Sequence, residues 1–330
     1  MLLSILIPVY RVQKYIERCV VSLFEQTMQN NIEFIFVDDC SDDESVNVLM
    51  KTLDRYPKRK TQVLLLKHSK NRGLAASRQT ALAKASGDYV LTVDSDDWLE
   101  LNACEILQKK ALRTNADIVM FDHYVNYASK QCHYRQESAY TGLECLDLLF
   151  KGKMHGGTCT KLIKRKLYLD NKITYIEGLN MLEDISVVFR LFYFAQHIEY
   201  IPQPLYHYFQ GNANSYCTQM SPSSCENILD LLHLMKSFFV EHKVSATLLD
   251  SFNYFYASSI LSILMSVNSF TLYQKYAKYL NRHQHLDLKE MTQARKLVYL
   301  LCKKSPSYFS YSAISAFRLL RKVRNWFYNR

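Results

Sequence analysis

The first hundred residues alternate between short β-rich apolar runs and stretches whose apolar residues recur at helical spacing. Leu3 to Val9, Ile32 to Val37, Val63 to Leu66 and Tyr89 to Val93 read as strands. Between them, Ile16 to Gln26 places Ile16, Val20, Leu23 and Phe24 on one helical stripe. Ser45 to Leu53 follows the cap-rich Ser41-Asp42-Asp43-Glu44, and Leu74 to Ala85 is an Ala-rich helix that ends before Gly87. Strands joined through helices make an α/β fold with a mainly parallel sheet and helices on both faces.

Beyond Trp98 the spacing predicts a helix over Ala103 to Arg113, a strand over Ile118 to Phe121, a loop over His155 to Thr158, and helices over Leu162 to Tyr168 and Asp184 to Ala195. From about Ser221 only helical stripes recur, at Cys225 to Val240, Ala246 to Val267 and Leu272 to Leu280. This predicts two domains, residues 1–215 and a helical region 216–330, with the boundary near Tyr216.

The acids Asp94-Ser95-Asp96-Asp97 follow the Tyr89 to Val93 strand. They would lie at the carboxyl end of the sheet, where open α/β folds bind ligands. Crowded carboxylates repel one another unless a positive charge joins them. A divalent cation holding a diphosphate answers that need, since hard cations take carboxylate and phosphate oxygens together. A solvated acidic loop capping the next helix is the other reading, and the cluster alone leaves both open.

The nine cysteines show no CxxC or CxxH spacing, which fits free thiols in a reducing compartment and neither a disulfide framework nor a zinc site. The N-terminus lacks the basic and apolar regions of a signal peptide, and no window is long enough to span a membrane. A cytoplasmic protein is expected. Nine basic residues and no acid lie between Met291 and Arg330, nearly the whole formal excess of +10. Ser312 to Tyr328 reads as one helix, with Ile314, Phe317, Leu320, Val323, Trp326 and Phe327 on an apolar side and Arg318, Arg321, Lys322 and Arg324 opposite. Residues 312–330 therefore suit peripheral contact with an anionic membrane, or a helix packed on the core with a solvated basic face. No specific nucleic acid is expected, because the sheet motifs carry acids and not a basic aromatic face.

Several segments together resemble family 2 glycosyltransferases of the GT-A fold. They are Ser4-Ile5-Leu6-Ile7-Pro8-Val9-Tyr10, Phe36-Val37-Asp38-Asp39-Cys40-Ser41-Asp42-Asp43, Asn71-Arg72-Gly73-Leu74-Ala75-Ala76-Ser77-Arg78, Asp94-Ser95-Asp96-Asp97 as a DxD motif, and Glu183-Asp184 before an apolar helix. Each is weak alone; in this order they are specific, and they cover roughly the first 215 residues. The family often has Asn at the positions of Arg11 and Gln79, and Gly at those of Cys40 and Leu182. It often has Trp before the Lys161-Leu162 element, where this chain has Cys159-Thr160.

The resemblance implies an inverting, metal-dependent transferase. It would move a sugar from a nucleotide diphosphate sugar, a UDP-sugar, to a saccharide or lipid-linked acceptor in assembly of a surface polysaccharide or glycolipid. Asp96 would ligate Mn2+ or Mg2+, and Asp94 would assist or touch the ribose. Asp97 would orient a ligand or cap the helix after Trp98. Pro8, Tyr10, Asp39, Gly73, Arg78 and Ser95 would hold the donor. Within that set Tyr10 would meet the base or simply pack, Asp39 would read uracil or cap a turn, and Arg78 would bridge the diphosphate or lie on the surface. Gly73 would allow close backbone approach or a positive φ, and Arg72 would face solvent. Asp184 would be the general base, its pKa lifted by Leu182, Ile185 and Val187, with Glu183 orienting it or touching the acceptor; a first-turn acidic pair favoured by the helix dipole is the plain alternative. His207 would bind diphosphate or metal, or serve as a hydrogen-bonded structural residue. His155-Gly156-Gly157 would be a flexible acceptor loop or a turn. Two rival functions are a sugar nucleotidyltransferase, which wants a Gly-rich basic loop where this chain has Pro8-Val9-Tyr10-Arg11, and a non-catalytic assembly or binding protein on the same fold.

Overall fold

Strand β1 (Leu3–Val9) lies between β2 (Ile32–Asp38) and β4 (Tyr89–Thr92) and runs parallel to both; β3 (Val63–Lys67) continues the parallel set beyond β2. The chain winds outward from β1 to β3, then returns to the other side of β1. That reversal opens a crevice at the carboxyl ends of β1 and β4. This computed structural model describes residues 1–212, 220–280, 291–304 and 307–316.

Alternation along the strands assigns the two faces. Leu3, Ile5, Ile7, Phe34 and Phe36 join the core formed with α1 (Ile16–Phe24), α2 (Ser45–Asp54) and α4 (Ala103–Thr114), through Val20, Leu23, Leu49 and Leu107. The intervening Leu6, Ile35 and Val37 are equally buried, and α3 (Leu74–Lys84) packs on β1 and β2 through small Ala75, Ala76 and Ala81. Burial of such side chains supplies roughly 1.5–3 kcal/mol each.

The sheet continues as β4-β8-β6-β9-β5 and mixes directions there. Its members are β5 (Trp98–Leu99), β6 (Ile118–Asn126), β8 (Lys161–Lys164) and β9 (Ile198–Phe209), with β7 (Gln131–Tyr134) as a hairpin partner of β6. The pairs β4–β8, β6–β8 and β5–β9 are antiparallel, and β6–β9 is parallel. The helix predicted over Leu162 to Tyr168 is instead strand β8 followed by the short helix α6 (Arg165–Asp170). Pairing of Ile163 with both Val90 and Ile118 wins over its helical propensity. Helices α5 (Gly142–Phe150) and α7 (Glu183–Phe194) complete this part.

The described residues of Met1–Leu149 and Lys153–Thr218 form one compact unit, and those of Phe150–Gly152 and Gln219–Arg330 a second. The second is helical: α8 (Pro222–Glu241), α9 (Ala246–Leu264), α10 (Phe270–Leu280) and α11 (Gln293–Lys304), with residues 308–316 also helical. Ser221 and Ser245 cap α8 and α9 by accepting from Ser224 N–H and Leu248 N–H. Most of the predicted tail helix, including Phe317 to Arg330, lies outside the described residues, as does Tyr216. No helix among the described residues is long and apolar enough to cross a membrane.

Candidate active site

A cavity of about 360 Å3 occupies the crevice, and Pro8, Tyr10, Asp39, Gly73, Arg78, Asp94, Ser95, Asp96, Glu183 and Asp184 all line it. The sheet delivers most of them. Pro8 and Tyr10 come from the end of β1, Asp39 follows β2, and Asp94 to Asp96 follow β4. Helix α3 brings Arg78 and helix α7 opens with Glu183 and Asp184.

Arg78 organises the centre. Its side chain is 2% exposed, and its guanidinium donates from Nη2 to Asp94 Oδ1 at 2.7 Å and from Nη1 to Glu183 Oε1 at 2.5 Å and Asp184 Oδ1 at 2.6 Å. The burial rules out the surface alternative for Arg78: three of its five N–H groups meet carboxylates from two separate motifs, while Nε is buried without a partner. One buried cation so placed offsets the repulsion of three acids. Burial pushes the Glu183 carboxyl up to about 8, with Arg78 opposing and Asp184 adding. Both acids sit in the first turn of α7, where the helix dipole also favours negative charge. Asp184 further accepts from Thr158 Oγ1 at 2.8 Å.

On the other flank, Asp96 accepts from Asn212 Nδ2 at 2.8 Å; burial and the charge of Asp94 hold its carboxyl above the usual range. Among the described residues no three His, Cys, Asp or Glu side chains are arranged to hold a metal. Asp94 and Asp96, two carboxylates that repel each other on the cavity lining, are nonetheless the hard oxygen donors that a Mg2+-like ion takes. Such ions are held by one or two carboxylates, with phosphates and solvent completing the shell.

Asp97 has a structural post. It accepts from Tyr206 Oη at 2.6 Å and Phe209 N–H at 2.7 Å, pinning β9, while Asn102 and not Asp97 precedes α4. Asp39 accepts from His68 Nδ1 at 2.6 Å, Arg72 N–H at 2.8 Å and Gly73 N–H at 2.7 Å. That leaves about one of its roughly four acceptor sites for a ligand. Gly73 holds φ +89°, and a Cβ there would lie 2.5 Å from Asn180, so the close neighbour is a side chain of the chain itself. Tyr10 is half-buried at the cavity wall, with the Arg11 guanidinium 5.2 Å from its ring. Arg72 pairs with Glu177 at 2.7 Å near the surface.

His207 is not in this cavity. Its Nε2 meets Glu100 Oε1 at 2.9 Å and its ring stacks on Trp98 with centroids 4.7 Å apart, which is the structural alternative. The His155-Gly156-Gly157 loop does line the cavity, and it is clamped: the buried Lys161 ammonium donates to the carbonyls of His155 and Gly157, both at 2.7 Å. Burial pulls that ammonium down to about 8. Asn180, Asn212 and Thr158 escaped the sequence reading. Single polar residues in loops carry no periodicity, and Asn212 follows a strand that went unread.

A sequence model of the family described as "Glycosyl transferase family 2" matches residues 4–170. The putative glycosyltransferase EpsH of Bacillus subtilis (strain 168) is 31% identical over 212 residues, which cover 62% of this chain and 60% of that protein. Glycosyltransferase GlyG of Streptococcus pneumoniae serotype 4 is 27% identical over 242 residues, 70% of this chain and 78% of that one. The crystal structure of S. aureus TarS 1-349 superposes with a TM-score of 0.71 at 18% identity, covering 97% of this chain and 92% of that chain. The same fragment has been solved in complex with UDP-GlcNAc, with a TM-score of 0.63 at 17% identity, covering 92% of this chain and 91% of that one. Against the longer crystallised TarS chain, this chain spans 55% of the length.

Proposed function

The chain belongs to glycosyl transferase family 2, and from that premise we propose that it is an inverting transferase. It moves a sugar from a nucleotide diphosphate sugar, a UDP-sugar, to a hydroxyl of a saccharide or lipid-linked acceptor. The observation that carries this reading is the single guanidinium of Arg78, which binds Asp94 on one flank of the cavity and Glu183 and Asp184 on the other. A donor-side acid and a proton acceptor thereby share one rigid frame, the arrangement an in-line displacement needs.

In this reading Asp184 takes the proton of the acceptor hydroxyl. The freed electron pair on that oxygen forms the bond to the anomeric carbon from the face opposite the diphosphate. The carbon–oxygen bond to the diphosphate breaks with its pair, and nucleoside diphosphate leaves. Asp96 and Asp94 would hold Mn2+ or Mg2+, which when bound supplies Lewis-acid stabilisation of the leaving charge. Pro8, Tyr10, Asp39, Gly73 and Ser95 shape the nucleotide end, and Arg78 acts by holding the carboxylates. The UDP-GlcNAc complex of TarS 1-349, a protein of the same fold, supports the choice of a UDP-sugar. We place the protein in the cytoplasm, peripheral to the inner face of the membrane through residues 312–330, in polysaccharide or glycolipid assembly.

Calorimetric titration of UDP with and without Mn2+, together with UDP release from a panel of UDP-sugars, tests the reading. Asp96→Ala is expected to weaken Mn2+-dependent UDP binding by about 100-fold or more, since a charge-bearing ligand is lost. Asp184→Asn is expected to bind UDP normally and to lose turnover. Full turnover in either variant would remove that role, and no nucleotide binding by the wild type would favour the non-catalytic rival.

A further inference from the structure

Thr158 and Lys161 stand outside every motif so far given a part in the reaction, yet they form one continuous support for the proposed base. Lys161 is fully buried. Its three N–H donors meet three acceptors: the carbonyls of His155 and Gly157 at 2.7 Å each and Thr160 Oγ1 at 3.3 Å. A buried ammonium is costly to desolvate, and here every proton is spent on fixing one loop. That loop presses on α7 directly after the acid pair, where a Cβ on Gly156 would come within 2.9 Å of Ile185 Cγ1. Its next residue, Thr158, is also fully buried.

The hydroxyl of Thr158 has a defined polarity. Tyr175 Oη donates to it at 3.2 Å, and it donates in turn to Asp184 Oδ1 at 2.8 Å. An ionised carboxylate only accepts, so the direction of this chain is fixed. Arg78 Nη1 reaches the same oxygen at 2.6 Å. Both bonds fall on Oδ1, and neither falls on Oδ2.

We propose that Thr158 is a positioning residue for the general base. Seated by the Lys161-clamped loop, it shares Asp184 Oδ1 with Arg78 and so commits Oδ2 to the acceptor proton. The acceptor O–H bond breaks, its proton passes to Oδ2, and the oxygen's pair goes to the anomeric carbon, as in the displacement above. The inference rests on Asp184 being the base.

The test compares Thr158→Val, Thr158→Ser and Lys161→Met with the wild type. The readout is UDP release from whichever UDP-sugar the wild type turns over fastest, with melting temperature and UDP binding measured alongside. Thr158→Val keeps the volume and loses the donor; its kcat is expected to fall about 10- to 100-fold, the scale of a small misplacement of a reacting group. Its donor KM should stay within about twofold, because ground-state binding is untouched. Thr158→Ser retains the hydroxyl and should recover most of the rate, and Lys161→Met should resemble Thr158→Val in kcat. Wild-type kcat in Thr158→Val, or equal loss in Val and Ser variants, overturns the proposal; so does Thr158→Val failing to fold if folded Lys161→Met keeps full kcat. Asp184→Asn separates the premise from the inference. An active Asp184→Asn sinks the base reading, whereas an inactive one beside a fully active Thr158→Val sinks only the role of Thr158. Wild type that releases no UDP from any donor removes the premise.

Discussion

Arg11, Cys40 and Leu182 hold φ of 51°, 62° and 61°, in the left-handed region that L side chains enter at a cost of roughly 1–2 kcal/mol each. These are the positions where the family often has Asn or Gly. The departures noticed in the sequence are thus places where this chain keeps a backbone shape with a less suited residue. Arg11 is held by two bonds to Asp42, at 2.6 and 2.5 Å, and Leu182 precedes the acid pair at the start of α7. Cys40 lies in a turn already bridged by the Asp38 carboxylate, which accepts from Ser41 N–H at 2.9 Å. Cys40→Gly is therefore expected to raise stability by about 1 kcal/mol, the strain relieved less the extra chain entropy of glycine. Urea denaturation reads this as a higher midpoint at unchanged slope; an unchanged or lower midpoint would show that the turn carries no strain there.

At the scale of elements, the alternating first half was legible because each strand is a short apolar run and each helix a clear stripe. The predicted ends of β1, α2, β3 and α3 fall within a residue or so of the observed ones. The second half was less legible for physical reasons. Strand β9 contains Pro202 and Pro204, which lack the N–H a ladder needs, and the structure tolerates them beside the register shift against Phe121 and Asp122. Strand β5 is two residues long and exists through its pairing with His207 and Tyr206. Of the site, Pro8, Tyr10, Asp39, Gly73, Arg78, Asp94, Ser95, Asp96, Glu183 and Asp184 line one cavity, whereas Asp97 and His207 do not. What a single sequence could not reveal was which of them bind each other, since Arg78 and Glu183 meet only through the fold. One further element depends on a buried cation. Arg59 donates to the carbonyls of Phe24, Gln26, Met28 and Gln29, tying the turn after α1. Arg59→Met should cost more than about 3 kcal/mol, because several carbonyls lose a charged donor at once. A thermal-melt shift of only a degree or two would contradict that account.

At the scale of the whole molecule, charge and chemistry separate along the chain. Acids gather at the cavity, while the basic excess gathers between Met291 and Arg330. Each Lys or Arg near an anionic bilayer contributes about 1 kcal/mol, screened within a Debye length. Cosedimentation with phosphatidylglycerol vesicles is expected at low salt and should fall steeply as salt rises. Equal binding to phosphatidylcholine vesicles, or none to either, would leave the basic segment without a membrane role. The frame around Arg78 bears on how the chain is made. Glu183 and Asp184 lie 105 and 106 residues after it, and the matched family segment ends at residue 170, before either acid. While the polypeptide emerges from the ribosome, the guanidinium has Asp94 within reach but neither acid of α7. The frame of the cavity is therefore completed only once residue 184 has been made, beyond the stretch by which the family is recognised.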